Sequence, residues 1–139
     1  MSASPRKQRH LRVLFLEDSP SDAALAREVL TAAGYDLEVD LVTERGRFEE
    51  LLASRRYDVI LADYRLAGFG ARAALESARA ACPQTPFVCV SAAIADEVAA
   101  ELLKGGAVDV VFEGRMAGLP CAVERAIDEK TRRPEPPTA

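Results

Sequence analysis

Apolar residues fall along the chain in short blocks whose period alternates between that of a strand and that of a helix. Arg12 to Leu16 is a short apolar strand, and it runs into Glu17-Asp18-Ser19-Pro20-Ser21-Asp22. A helix is predicted to start there, with Ser19 as N-cap, Pro20 in the first helical position and Asp22 as the acidic residue of a capping box. Its apolar face holds Ala24, Leu25, Val29 and Leu30, and Gly34 ends it. Residues 37–42 (LEVDLV) alternate strictly, as a half-buried strand near a sheet edge does. A helix over 44–55 follows, with Phe48, Leu51 and Leu52 inward. Residues 58–62 (DVILA) then form a strand whose Val59 to Ala62 are continuously apolar, the mark of a strand buried on both faces.

The second half repeats the alternation. Tyr64 to Gly70 is a loop, Ala71 to Ala81 a helix that ends before Pro83, and Phe87 to Val90 the fourth strand. A helix over 95–104 ends at Gly105-Gly106, the fifth strand covers Val108 to Phe112, and a last helix runs from about Ala117 to Arg132. Strands and helices in strict alternation with short connections predict an open α/β fold: a five-stranded parallel sheet with helices on both faces. An edge position for the alternating second strand gives the order 2-1-3-4-5, with a switch point between strands 1 and 3. The polar residues 1–10 read as a disordered arm, 11–132 as one domain, and 133–139, with three prolines, as a tail.

Composition narrows the function. The net charge of −4 gives no general attraction to nucleic acid or to anionic membrane. No apolar run approaches the roughly 20 residues of a membrane span, and none follows the basic start as a secretion signal would, so a cytoplasmic protein is expected. Cys82, Cys89 and Cys121 form no C-x-x-C pair and read as reduced, packed thiols. The single histidine, His10, sits in the polar arm, which disfavours chemistry needing a buried His base.

Candidate chemistry is acidic. Ligands of such sheets bind beyond the carboxyl ends of the strands, and at the switch point those ends carry Glu17 and Asp18 from strand 1 and Asp63 from strand 3. If Ser19 caps the helix, the two acids before it have no local structural task. Clustered carboxylates call for protons or a cation, and hard oxygen donors that leave room for water and phosphate suit Mg²⁺. A carboxylate beside such a cation can act as nucleophile towards a phosphoryl group. Ser91, at the end of strand 4, is placed to offer a hydroxyl to the same phosphate. A phosphatase would want a second acid two residues after Asp63, where Arg65 stands, and the turn after strand 1 has no glycine-rich loop for a dinucleotide.

The motifs LFLEDSPSD, VILADYRLAGFG, FVCVSA and GGAVDVVFEG, followed by LPCAVERAI, together resemble the receiver domain of two-component response regulators, a CheY-like fold. The resemblance implies Asp63 as phosphoacceptor, Mg²⁺ held by Glu17, Asp18, Asp63 and the backbone carbonyl of Arg65, and Ser91 as the switch hydroxyl. It implies a sensor histidine kinase or phosphotransfer protein as donor. An output protein would meet the face of the fourth helix, fifth strand and fifth helix, the face through which a homodimer would also form. It implies no enzyme beyond self-catalysed transfer to and from Asp63. Three positions depart from the family pattern: Glu113 stands at its lysine, Val110 at its aromatic residue and Ala67 at its proline. Arg65 and Arg115 are the nearby cations that could stand in for the lysine. The alternative is a phosphorylation-independent pseudo-receiver serving as an interaction module.

Overall fold

The computed structural model describes residues 9–64, 70–91 and 96–132, with side chains for all of these except 91, 96, 112–115 and 129–132. Five parallel strands, β1 (Arg9–Leu16), β2 (Tyr35–Val42), β3 (Val59–Asp63), β4 (Phe87–Ser91) and β5 (Asp109–Phe112), lie in the order β2-β1-β3-β4-β5. They alternate with α1 (Pro20–Ala32), α2 (Arg45–Ser54), α3 (Ala71–Ala81), α4 (Asp96–Lys104) and α5 (Leu119–Arg132). Class, strand order and edge position of β2 are as the pattern predicts.

The period of two divides the sheet into two cores. Leu14, Leu16, Ile60, Ala62, Phe87 and Cys89 face α2, α3 and α4, where Phe48, Leu51, Leu75 and Leu102 cover them. Leu11, Val13, Phe15, Val59, Leu61, Val88 and Val90 face the opposite way, under Ala26 and Leu30 of α1 and Leu119, Val123 and Ala126 of α5. Every residue of β3 is buried, as a run without alternation requires. The Ser19 hydroxyl accepts the Asp22 N–H at 3.3 Å and caps α1. Gly34 ends that helix with φ +101°, a conformation that side chains rarely adopt.

Several boundaries shift by a residue or two, β2 starting at Tyr35 rather than Leu37 among them, and two of the differences bear on the packing. β1 starts at Arg9 rather than Arg12, so Arg9 and His10 belong to the sheet and not to the arm. No apolar period marks them; pairing with β2 brings them in, Arg9 opposite Tyr35 and His10 opposite Asp36. Their side chains find partners, Arg9 over the Tyr35 ring of β2 and against Glu124 of α5, His10 between Asp36 and Glu38 across the strand pair. The second difference is a 3-10 turn over Glu113–Gly118 before α5, which starts at Leu119 rather than near Ala117. Met116 of this turn is buried in the α1/α5 core.

Candidate functional site

Glu17 and Asp18 follow directly on β1, and Asp63 is the last residue of β3, the neighbouring strand. Parallel pairing puts both strand ends at one edge, so the three acids meet. One carboxylate oxygen from each lies within 4.8 Å of the other two. Glu17 and Asp63 are buried and Asp18 is exposed. The site is therefore a sunken acidic pair with a third acid at its rim.

Backbone geometry fixes the acids. The Glu17 N–H donates to the Val42 carbonyl at 3.1 Å, which continues the β1/β2 ladder one residue further. Glu17 Oε1 accepts the Ser19 N–H at 3.0 Å, so this carboxylate also braces the start of α1. Asp63 pairs with Val90 of β4, and the next amide, Tyr64 N–H, donates to the Val90 carbonyl at 3.1 Å. Cys89 is buried beside this edge; burial, and then the charge of Asp63, push its thiol up to about 12. It stays protonated and is no competing nucleophile.

Hard oxygen donors in this arrangement suit a small divalent cation. An ion at about 2 Å from each of three oxygens separates them by roughly 3–4 Å, so a 4.8 Å cluster needs only slight adjustment to hold one. The nearby thiol, protonated and buried, offers no soft ligand that would favour zinc.

Other expected positions are placed in part. The backbone of Ser91 ends β4 and pairs with Phe112, while Glu113 opens the 3-10 turn just beyond β5. The side chains of Ser91, Glu113 and Arg115, and the whole of Arg65 and Ala67, lie outside the described residues. Val110 sits opposite Cys89, half-buried against the α2/α3/α4 core. The sequence reading missed a cavity of about 160 Å³ lined by Tyr64, Arg72, Val98, Glu101 and Leu102. It opens between α3 and α4, which Arg72 and Glu101 bridge by an ion pair at 3.1 Å. Twenty-nine residues separate that pair, and no local spacing announces it. Among the described residues no helix is long and apolar enough to cross a membrane.

The family model of the response regulator receiver domain matches residues 13–113. Comparison with curated proteins gives no match. Among solved structures, the chain is similar to a CheY-like response regulator receiver domain protein from Methanospirillum hungatei at TM-score 0.75 and 20% identity, covering 88% of this chain and 97% of that one. It is also similar to the receiver domain of a sensor histidine kinase from Pseudomonas aeruginosa, at TM-score 0.72 and 24% identity over 86% and 98% of the two chains. That structure has a magnesium ion coordinated in its active site cleft. A third, the signal receiver domain of an HD domain-containing protein from Pseudomonas fluorescens, aligns at TM-score 0.76 and 16% identity over 90% and 100%. Identities this low speak for the fold alone, whereas the family match spans the two strand ends that carry Glu17, Asp18 and Asp63: the chain belongs to the response regulator receiver domain family.

Proposed function

We propose that this receiver domain takes a phosphoryl group onto Asp63 with Mg²⁺ held by Glu17, Asp18, Asp63 and the backbone carbonyl of Arg65. The observation that carries the proposal is the convergence of three carboxylates within 4.8 Å at one strand edge, two of them buried. Crowded buried acids repel each other, and an interaction module with no chemistry at this edge would have no use for the arrangement. Bound there, the cation offsets charge on the phosphoryl oxygens during transfer.

An Asp63 carboxylate oxygen attacks phosphorus, and the bond from phosphorus to the donor's imidazole nitrogen breaks with its electron pair going to that nitrogen. Glu17 holds its place through the Ser19 amide, and Asp18, exposed at the rim, stands where a donor enters. The Ser91 hydroxyl donates to a phosphoryl oxygen after transfer. Transfer to Asp63 and its later hydrolysis are the only chemistry of the domain. The donor is a sensor histidine kinase or phosphotransfer protein of the cytoplasm. An output protein reads the result on the face made by α4, β5 and α5, where a homodimer would also form.

Intact-mass measurement after incubation with acetyl phosphate and Mg²⁺ tests this. The wild-type chain gains the mass of one phosphoryl group and Asp63→Asn gains none. No gain in the wild type, from acetyl phosphate or from a cognate kinase, overturns the proposal.

A further inference from the structure

β2 is the outermost strand, paired with β1 along all eight of its residues. Two hydrogen bonds at its ends tell which backbone groups face outward. The Gly34 carbonyl takes the Arg9 N–H at 3.3 Å, and the Val42 carbonyl takes the Glu17 N–H at 3.1 Å. In an extended chain the N–H and C=O of one residue point to the same edge, and successive residues to opposite edges. Residues 34, 36, 38, 40 and 42 thus turn toward β1, while Leu37, Val39 and Leu41 turn their backbone groups to the open edge. Among the described residues no strand pairs there. Such a row of donors and acceptors is a template for an added strand.

Side chains along this edge alternate in chemistry as well as in direction. Asp36, Glu38 and Asp40 lie on the face toward α2, and Leu37, Val39 and Leu41 on the face toward α1. Leu41 is 44% exposed, and Leu25 of α1, the helix packed on β2, is 40% exposed. On the acidic face the nearby charged groups are Asp58, Arg12, Arg55 and the Arg47–Glu50 pair of α2, with His10 between Asp36 and Glu38. Five carboxylates there meet three guanidiniums and one imidazole, so a negative excess remains. A second copy of this chain is a poor occupant. Two β2 strands paired antiparallel about Val39 set Glu38 against Asp40 twice, and like charges directly opposite destabilise a sheet.

We infer that the open edge of β2 docks an extended protein segment in which basic and apolar residues alternate. Its basic side chains lie beside Asp36, Glu38 and Asp40, its apolar ones beside Leu37, Val39, Leu41 and Leu25. This surface is separate from the acid site at the strand ends and independent of phosphorylation.

The probe is an octapeptide of alternating arginine and valine, with a control of equal composition in two blocks, titrated into the full chain and followed by backbone amide shifts and amide exchange. The alternating peptide binds at least tenfold more tightly and slows exchange at Leu37, Val39 and Leu41. Val39→Pro removes one outward N–H without touching the β1 ladder and weakens binding at least tenfold, while Val39→Thr does not. Asp36→Lys combined with Glu38→Lys transfers the preference to a peptide of alternating glutamate and valine. Equal affinity of the two arginine peptides, shifts centred away from β2, or an unaltered Val39→Pro overturns the inference. So does a β2-dependent dimer in sedimentation, and if Val39→Pro does not fold, the charge exchange decides.

Discussion

Asp36, Glu38, Asp40 and Asp58 crowd one face of the sheet below α2, and Glu17, Asp18 and Asp63 crowd the edge above it; the two groups of acids are built on opposite plans. Below α2 each acid has partners of its own at the surface: Arg12 Nε donates to Glu38 Oε2 at 2.7 Å, Tyr57 Oη to Asp40 Oδ2 at 2.6 Å and the Arg12 N–H to Asp58 Oδ2 at 2.8 Å, while Arg55 also reaches Asp40 and His10 lies between Asp36 and Glu38. Above it they aim at one point within 4.8 Å, and two of the three are buried. Acids dispersed over a face and bonded one by one make a solvated, ion-paired surface. Acids of the same kind converging from two strand ends make a cation site. Convergence and burial, rather than the number of carboxylates, separate the two.

Asp63→Asn breaks the comparison most severely. Phosphoryl uptake from acetyl phosphate falls below detection by intact mass, whereas Asp36→Asn leaves it unchanged. Mg²⁺ gives the next largest effect. At a concentration about 100 times its Kd it stabilises the fold by about 2.7 kcal/mol, roughly 10 °C in melting temperature. Calorimetry with and without EDTA reads this shift, which disappears in Asp18→Asn and Asp63→Asn and persists in Asp36→Asn.

Tyr57→Phe is smaller. Loss of the hydrogen bond to Asp40 costs about 1 kcal/mol in urea denaturation. Burial, and then the Asp40 carboxylate, raise the Tyr57 phenol above its ordinary 10.0. The unfolded chain therefore releases this proton first, so stability falls as pH rises past 10, and the fall is shallower in Tyr57→Phe. Smallest is Glu38→Gln. The hydrogen bond from Arg12 holds the Glu38 carboxyl below its ordinary 4.5, so its stabilising effect is present above that pH and lost as pH falls through the lowered value. Exposed as the pair is, the difference from wild type shows only in low-salt acid titrations and vanishes at high salt.

Sequence carried the layout far because burial writes itself into periodicity. β3 reads as central since all of Val59 to Ala62 are apolar, and β2 reads as an edge because Leu37 to Val42 alternate. Two of the three acids were legible for a related reason: with Ser19 as N-cap and Pro20 in the first turn, the local pattern gives Glu17 and Asp18 no task in α1, although in the fold Glu17 Oε1 accepts the Ser19 N–H as well as facing the site. Arg9 and His10 were not legible as strand, because what draws them in is Tyr35 and Asp36, some twenty-six residues away. Nor was the turn around Met116, where one buried methionine leaves no repeating face for the sequence to show. Local rules see periods and caps; they do not see partners.

The hydrogen bond from the Ser19 amide to Glu17 makes one proton a natural gauge. That amide belongs to the cap of α1, yet its shielding follows the charge and coordination of a carboxylate sunk in the acid site. Its nitrogen and proton frequencies would register cation loading and phosphoryl arrival without a label at either place, and a titration followed at this one resonance would time the coupling between the site and the first turn of the helix.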